Sequence, residues 1–335
     1  MQGLKVLFIG GGGTISAHCT RAAIEAGMDV HLLNRGTNSK HQAPEGVTTF
    51  TADSRDKQSV LDAIRGHDFD CVVNWVNFVP DHVQQDIDIF AGRTRQYVFI
   101  SSASAYQTPP THLPVVESTP LKNPFWEYSR NKIACEDLLT EAYRDHGFPV
   151  TIVRPSHTYD ETLIPFDGGW TVIERMRAGR PVIVPGDGTS LWTITHSRDF
   201  ARGFIGLLGH PHAIGEAVHI TGHETPSWNQ IYTDIAHAAG VPDPVLVHVA
   251  SDAIAAADPE WGAGLLGDKS HTMIFDNSKI RSLVPGFTAT TLFSQGAREI
   301  VAWYDADPAR RTVDARLDAL MDRLADTYAP RPSGT

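Results

Sequence analysis

Along the first half of the chain, apolar residues arrive in short, nearly continuous runs separated by amphipathic stretches of 3.6-residue period. The runs at 5–9, 30–33, 47–52, 71–73, 97–100 and 150–153 predict strands. The periodic stretches at 15–26, 57–65, 81–91 and 125–146 predict helices. Strands and helices alternating at this spacing make βαβ crossovers, and hence a parallel sheet. Val6-Leu7-Phe8-Ile9 leaves no polar position for water, which fits a sheet covered by helices on both faces. The expected fold class is α/β, a Rossmann-type doubly wound parallel sheet.

After Arg154-Pro155 the rhythm breaks. Residues 155–190 read as loop-rich, with Gly168-Gly169 among aromatics. A strand at 193–194, a helix at 199–208 and a strand at 217–220 follow. Then come a helix near 228–239, an Ala-rich stretch, a charged helical tail from about 309, and a frayed end after Tyr328. The expected division is a nucleotide-binding domain, 1–154 plus about 191–222, and a smaller C-terminal substrate domain, 155–190 plus about 223–335. No internal repeat or low-complexity tract interrupts this plan.

Charge narrows the partners. Lys and Arg number 28 against 39 Asp and Glu, a net −11, and the basic residues are scattered. A nucleic-acid partner would need a basic stripe, so none is expected. The first apolar run, about five residues, is shorter than a signal-peptide core and far shorter than a membrane span. No membrane association is expected, and the cytoplasm is the expected compartment. Cys19, Cys71 and Cys135 are too few and too dispersed for a disulfide framework or a cysteine-based zinc site. They read as core residues, and no metal is expected.

The first strand runs into Gly10-Gly11-Gly12-Gly13-Thr14-Ile15-Ser16 and then into a helix. Glycines let the backbone approach a pyrophosphate closely, and the helix start offers amide donors with a positive dipole end. The spacing is Gly10-x-x-Gly13-x-x-Ser16, with a small serine in place of a third glycine. Gly10, Gly12, Gly13, Thr14 and Ile15 are therefore expected to bind a dinucleotide. The second strand ends in Asn34-Arg35, where no carboxylate stands to hold a ribose 2′-hydroxyl. Arg35 suits a 2′-phosphate, so NADP is expected ahead of NAD. Asp53-Ser54 closes the third strand, where a carboxylate accepts from the adenine amino group or merely starts a turn.

Ser101-Ser102-Ala103-Ser104-Ala105-Tyr106 leaves the fifth strand, and Tyr128-Ser129-Arg130-Asn131-Lys132 lies in the fourth helix. Tyrosine and lysine at i and i+4 share one helix face. An ammonium near a phenol of ordinary pKa about 10 favours phenolate and brings it toward acid/base work near neutral pH. Glycine loop, serine-rich strand end, Tyr/Lys helix and a strand ending in Arg-Pro, in that order, resemble the extended short-chain dehydrogenases/reductases, which include nucleotide-sugar epimerases and dehydratases. The resemblance is strong to about residue 205 and looser beyond.

It implies Ser102 as the substrate-orienting hydroxyl, Tyr128 as acid/base and Lys132 as its partner. It places Asn74, Trp75 and Val76 along the cofactor, and Pro155 and Ser156 beside the nicotinamide. His157 stands where asparagine is usual. Ser104, Tyr106, His157 and Trp192 make up the candidate substrate set. Gly186-Asp187-Gly188, Arg198-Asp199-Phe200-Ala201 and Phe275-Asp276-Asn277-Ser278-Lys279-Ile280 resemble later family landmarks. A homodimer is implied by the resemblance alone.

Two departures bear on the substrate. Trp192 occupies the place of an arginine that grips a diphosphate in many nucleotide-sugar members, and tryptophan cannot replace that charge. Arg175, Arg177 and Arg180 are the alternatives. Ala103 and Ser104 replace the acidic pair of sugar dehydratases, so dehydration is not expected. His196, like His157, is either a substrate ligand or a structural hydrogen-bonder. Trp126, Tyr159, Phe166, Trp170 and Trp192 are candidates for an apolar wall. The expected activity is hydride transfer between NAD(P) and a small-molecule ring carbinol or ketone, sugar- or aminocyclitol-like. The alternatives are a sugar or nucleotide-sugar epimerase with retained NAD, and a non-catalytic sensor or RNA-associated member of the fold.

Overall fold

The computed structural model describes residues 3–36 and 41–329; the end beyond Ala329, expected to fray, lies outside them. Seven parallel strands form the main sheet: β1 (Lys5–Ile9), β2 (Asp29–Asn34), β3 (Thr48–Thr51), β4 (Phe69–Asn74), β5 (Thr94–Ile100), β6 (Val150–Pro155) and a late strand at Ala217–Ile220. The order runs β3-β2-β1-β4-β5-β6 and ends on that late strand. Helices α1 (Ser16–Glu25), α2 (Lys57–Ala63), α3 (Pro80–Phe90) and α4 (Glu127–His146) are the crossovers. Val6 and Phe8 point into one apolar core and Leu7 and Ile9 into another, so the unbroken first run serves both faces. Because β2 and β3 lie on one side of β1 and β4 on the other, a crevice opens where the order reverses.

α4 starts four residues after Asn123, whose Oδ1 accepts the N–H groups of Phe125 (3.2 Å) and Trp126 (3.1 Å). It ends at Gly147, where φ is +68° and the amide bonds back to Tyr143. Arg154, at the end of β6, clasps Glu136 of α4 (Nη2–Oε2 2.5 Å), fixing that helix against the sheet.

Residues 155–190, expected as loop, hold β7 (His157–Tyr159), α5 (Trp170–Arg177) and β8 (Val182–Pro185). Three-residue β7 is too short to show a period. The expected strand at 193–194 is β9 (Ile194–His196), which pairs with β7 and not with the main sheet. α6 (Ser197–Leu207) leads back to the late strand, β10 (Ala217–Ile220), beside β6. α7 (Trp228–Ala238), β11 (Leu246–Val249), α8 (Ser251–Ala257), α9 (Pro259–Gly264), α10 (Ser278–Leu283), α11 (Phe293–Asp305) and α12 (Ala315–Tyr328) follow. A third apolar core joins α5, α7, α11 and α12 around β8 and β11. The three cysteines are buried and unpaired. Among the described residues no helix is long and apolar enough to cross a membrane.

Candidate active site

A cavity of 540 Å³ occupies the crevice, lined by Gly10–Gly13, Asn34, Arg35, Asp53, Ser54 and Val76. Gly10 has φ +87°, and a Cβ there would lie 2.6 Å from Val76 Cγ1. Ser16 replaces the third glycine and binds the loop to itself: its Oγ accepts from the Gly13 amide (2.7 Å) and donates to the Gly10 carbonyl (2.9 Å). No side chain caps α1, whose positive dipole end follows the glycine loop, while the Ala17 amide already bonds the Gly13 carbonyl (2.9 Å). These residues fit a dinucleotide pyrophosphate.

At the far end Arg35 is exposed and no carboxylate terminates β2. Arg55, which sequence reading missed, is on the same wall, as is Arg21. Arg55 donates to Asn77 Oδ1 (3.2 Å) and to the Val76 carbonyl. Asp53 Oδ1 accepts the Arg55 amide (3.0 Å), a turn-forming role, while also lining the cavity. Of the β4-end trio only Val76 lines it. Asn74 is buried, its Oδ1 accepting the Val76 amide (2.8 Å), and Trp75 packs on Phe204 (5.0 Å). Thr14 lines neither this cavity nor the substrate cavity.

Beneath that loop lies Asp86 of α3, whose Oδ2 accepts from Asn74 (2.6 Å), Asn77 (2.7 Å) and the Tyr97 hydroxyl (2.6 Å). Burial pushes its carboxyl up to about 6, against the three hydrogen bonds that lower it. Asp86→Ala would take the shared acceptor from three buried donors, of which Asn77 Nδ2 keeps the Tyr97 hydroxyl (3.2 Å) and the His82 carbonyl (3.4 Å), and is expected to cost about 2 kcal/mol, read as a lower denaturation midpoint. An unchanged midpoint would mean that those donors find other partners.

β5 delivers Ser102 to the cleft, where its Oγ accepts the Ser104 amide (3.2 Å). Ser104 Oγ lies 2.9 Å from Ser102 Oγ and accepts from Ser129 Oγ (2.7 Å), so α4 holds the serine turn. Burial pushes the Tyr128 phenol up to about 12; a hydrogen bond with Ser102 lowers it and the Asp268 carboxylate raises it further. Lys132 Nζ donates to the carbonyls of Asn77 (2.6 Å) and Ile100 (2.8 Å), 5.7 Å from the centre of the Tyr128 ring. Burial lowers this lysine to about 8. Burial is the largest influence on the Tyr128 phenol and holds it above its ordinary value.

Ser102, Ser104, Tyr128, Pro155, Ser156, His157 and Trp192 meet around a second cavity of 240 Å³, which Ile15 joins from the glycine loop. His157 Nε2 and Trp192 Nε1 are buried without hydrogen-bond partners. Burial drives His157 down to about 3, so it is neutral. Tyr106 lies elsewhere: it is buried, and its hydroxyl meets His219 Nδ1 (3.0 Å). Of the expected aromatic wall Trp126 and Trp192 are present, whereas Tyr159, Phe166 and Trp170 belong to the third core. His196 caps α6 by accepting the Arg198 amide (3.1 Å). Arg175 and Arg180 are committed to Asp318 and Asp322, and Arg177 to Asp305, so none replaces the missing diphosphate ligand.

The residue that sequence reading missed here is Asp268. It sits in a single π-turn, Leu265–Lys269, pressed so closely on α4 that a Cβ on Gly267 would lie 2.6 Å from Trp126 Cβ. Asn123 Nδ2 ties the turn down through the carbonyls of Gly267 (2.6 Å) and Ser104 (2.9 Å). Among the described residues Asp268 is the only charged one on the 240 Å³ wall, and it has no ion pair with any of them. Enclosure raises its carboxyl to about 7, with Lys269 lowering it.

The chain matches the NAD dependent epimerase/dehydratase family over residues 6–221. It is 27% identical over 297 residues to the 2'-dehydrokanamycin reductase of Streptomyces kanamyceticus, covering 85% of this chain and 80% of that protein. It is 26% identical over 256 residues to the chloroplast stem-loop binding protein of 41 kDa b of Arabidopsis thaliana, covering 73% and 65%. Its fold is that of the dTDP-glucose 4,6-dehydratase of Bacillus anthracis in complex with NAD: TM-score 0.73, 18% identity, 91% of this chain and 98% of that one. The protein is thus an NAD(P)-dependent enzyme of the epimerase/dehydratase family of extended short-chain dehydrogenases/reductases.

Proposed function

We propose that the enzyme reduces a ring ketone bearing an amino group to the carbinol, with NADPH as reductant. The carrying observation is the 240 Å³ cavity, whose single charge is the Asp268 carboxylate. Its volume lies below the roughly 300–1,000 Å³ of drug-sized sites and suits one ring. A carboxylate there favours an ammonium and repels a diphosphate. The relative named as a 2'-dehydrokanamycin reductase supports the same reading.

A dihydronicotinamide held beside Ile15, Pro155 and Ser156 would supply the hydride for the carbonyl carbon. Tyr128 gives its phenolic proton to the carbonyl oxygen, which Ser102 orients by hydrogen bonding. Lys132, anchored on two carbonyls, holds the strand end and the β4–α3 loop in register with Tyr128. His157 Nε2 and Trp192 Nε1 take ring hydroxyls as partners.

Arg35 and Arg55, with no carboxylate ending β2, support NADPH over NADH. Arg35→Ala is expected to weaken NADPH about 30-fold, the worth of about 2 kcal/mol of charge-assisted hydrogen bonding, and to leave NADH unchanged. Equal loss for both nucleotides, measured by fluorescence titration, would contradict a role at the 2′-phosphate. Against an RNA-binding role stand the net charge of −11 and the assembled Ser102–Tyr128–Lys132 unit.

One observation favours a second reading, epimerisation of a larger substrate on retained NAD. A 560 Å³ cavity, with Arg281 on its wall, shares Thr193 and Phe275 with the smaller one. Identifying the nucleotide released on denaturation separates the two. Protein that is empty and consumes NADPH with amino-substituted ring ketones supports reduction; stoichiometric NAD supports epimerisation.

A further inference from the structure

Four side chains converge outside the catalytic groups, from α1, the β2–β3 connection and the residues after β7. Asp160 is 0% exposed. Its Oδ1 accepts both the amide (2.9 Å) and the hydroxyl (2.7 Å) of Thr162. Its Oδ2 has no hydrogen bond and faces His41 Nε2 at 3.2 Å and His18 Nε2 at 3.6 Å. His18 Nε2 in turn lies 3.8 Å from Glu161 Oε2. The His18 and His41 side chains are 8% and 7% exposed, and both Nε2 atoms lack hydrogen-bond partners.

Burying these atoms with only such loose, poorly aligned partners is costly. Charge-assisted hydrogen bonds would draw imidazole and carboxylate to about 2.7–2.9 Å. The separations found here instead bracket the ~3.4 Å edge of a tetrahedron whose metal–ligand bonds are about 2.1 Å. The ligand atoms of His18, Asp160 and Glu161 all lie within 4.8 Å of one another.

We infer that His18, Asp160 and Glu161 form a divalent-metal site, on which His41, 3.2 Å from Asp160 Oδ2, closes as the fourth ligand when an ion binds. Two imidazoles and two carboxylates suit zinc or a neighbouring first-row ion, not a calcium-type all-oxygen site. A surface cavity of 640 Å³ with His18 and Glu161 on its wall is the entry path. Arg21 Nη2 stands 3.1 Å from His18 Nδ1. A metal on Nε2 puts a proton on Nδ1, so binding swings this arginine away, toward Glu25 or Glu161 on the same wall.

The site would clamp three pieces together. α1 follows the glycine loop, Asp160 follows β7, and His41 lines the 540 Å³ nucleotide cavity. Metal binding is therefore expected to tighten NADPH. The inference does not depend on the choice of substrate or on the role of Tyr128.

The test uses the full chain, chelator-treated and titrated with Co²⁺ in an absorption spectrometer, then with Zn²⁺ as competitor. The expected result is one saturable equivalent of Co²⁺ with four-coordinate ligand-field bands, lost on adding Zn²⁺. His18→Gln should weaken binding by at least about 100-fold, and Glu161→Gln, whose side chain is 33% exposed, by about 10-fold. NADPH titration of each variant reports that the cleft is folded. No saturable spectrum in the wild-type protein, or an equal affinity in folded His18→Gln, would overturn the inference. Should His18→Gln fail to fold, an unchanged affinity in Glu161→Gln overturns it.

Discussion

Tyr128→Phe is expected to lower turnover between about 100- and 10,000-fold, the range that a positioned general acid contributes, with NADPH affinity nearly unchanged. The phenol lines the 240 Å³ cavity beside Ser102, with which it shares a hydrogen bond. Phenylalanine keeps the ring that packs on Trp126 (4.8 Å) and Phe78 (6.4 Å), so only the hydroxyl is lost. Because burial holds the phenol at about 12, Tyr128 stays protonated through neutral pH, the form that reduction needs. A Phe variant with wild-type turnover would remove Tyr128 from the chemistry.

Asp268→Asn is expected to lower kcat/KM for an amino-bearing ring ketone about 30-fold. That corresponds to about 2 kcal/mol for a hydrogen-bonded charge pair. A deamino analogue should lose nothing, since asparagine keeps the shape and removes only the charge. The pH dependence follows from the carboxyl near 7. An ammonium binds the ionised form, so affinity is full above about 7 and falls as Asp268 takes up a proton below it. Equal losses for the amino and deamino substrates would show that Asp268 shapes the cavity without reading charge.

The nucleotide half of the fold was legible because its signals are local. Lys5–Ile9, the four glycines and α1 lie in one short stretch, and each strand carries enough apolar residues to show its period. Ser102, Tyr128 and Lys132 were legible for the same reason: their spacing is set by one strand end and one helix. Asp268 was not, because it comes from a π-turn more than 130 residues after Tyr128, and nothing local marks that turn as packing on Trp126. Arg55 was hidden behind Asp53-Ser54, which carries the stronger motif. Tyr106 misled in the opposite direction, for its motif position fits the site while its hydroxyl is turned inward to His219. His18, His41, Asp160 and Glu161 have no ligand-like spacing, and only the return of the chain at β7 brings them together.

The central claim is direct hydride delivery from NADPH to a ring carbonyl, with the proton from Tyr128. It is tested most directly with NADPH carrying deuterium at both C4 positions of the nicotinamide and an amino-substituted ring ketone, the product being examined by mass spectrometry and NMR. The expected result is one deuterium on the new carbinol carbon for each NADP⁺ formed, at a rate that Tyr128→Phe lowers at least about 100-fold. Product without deuterium, or epimer interconversion with no NADPH consumed, would contradict it.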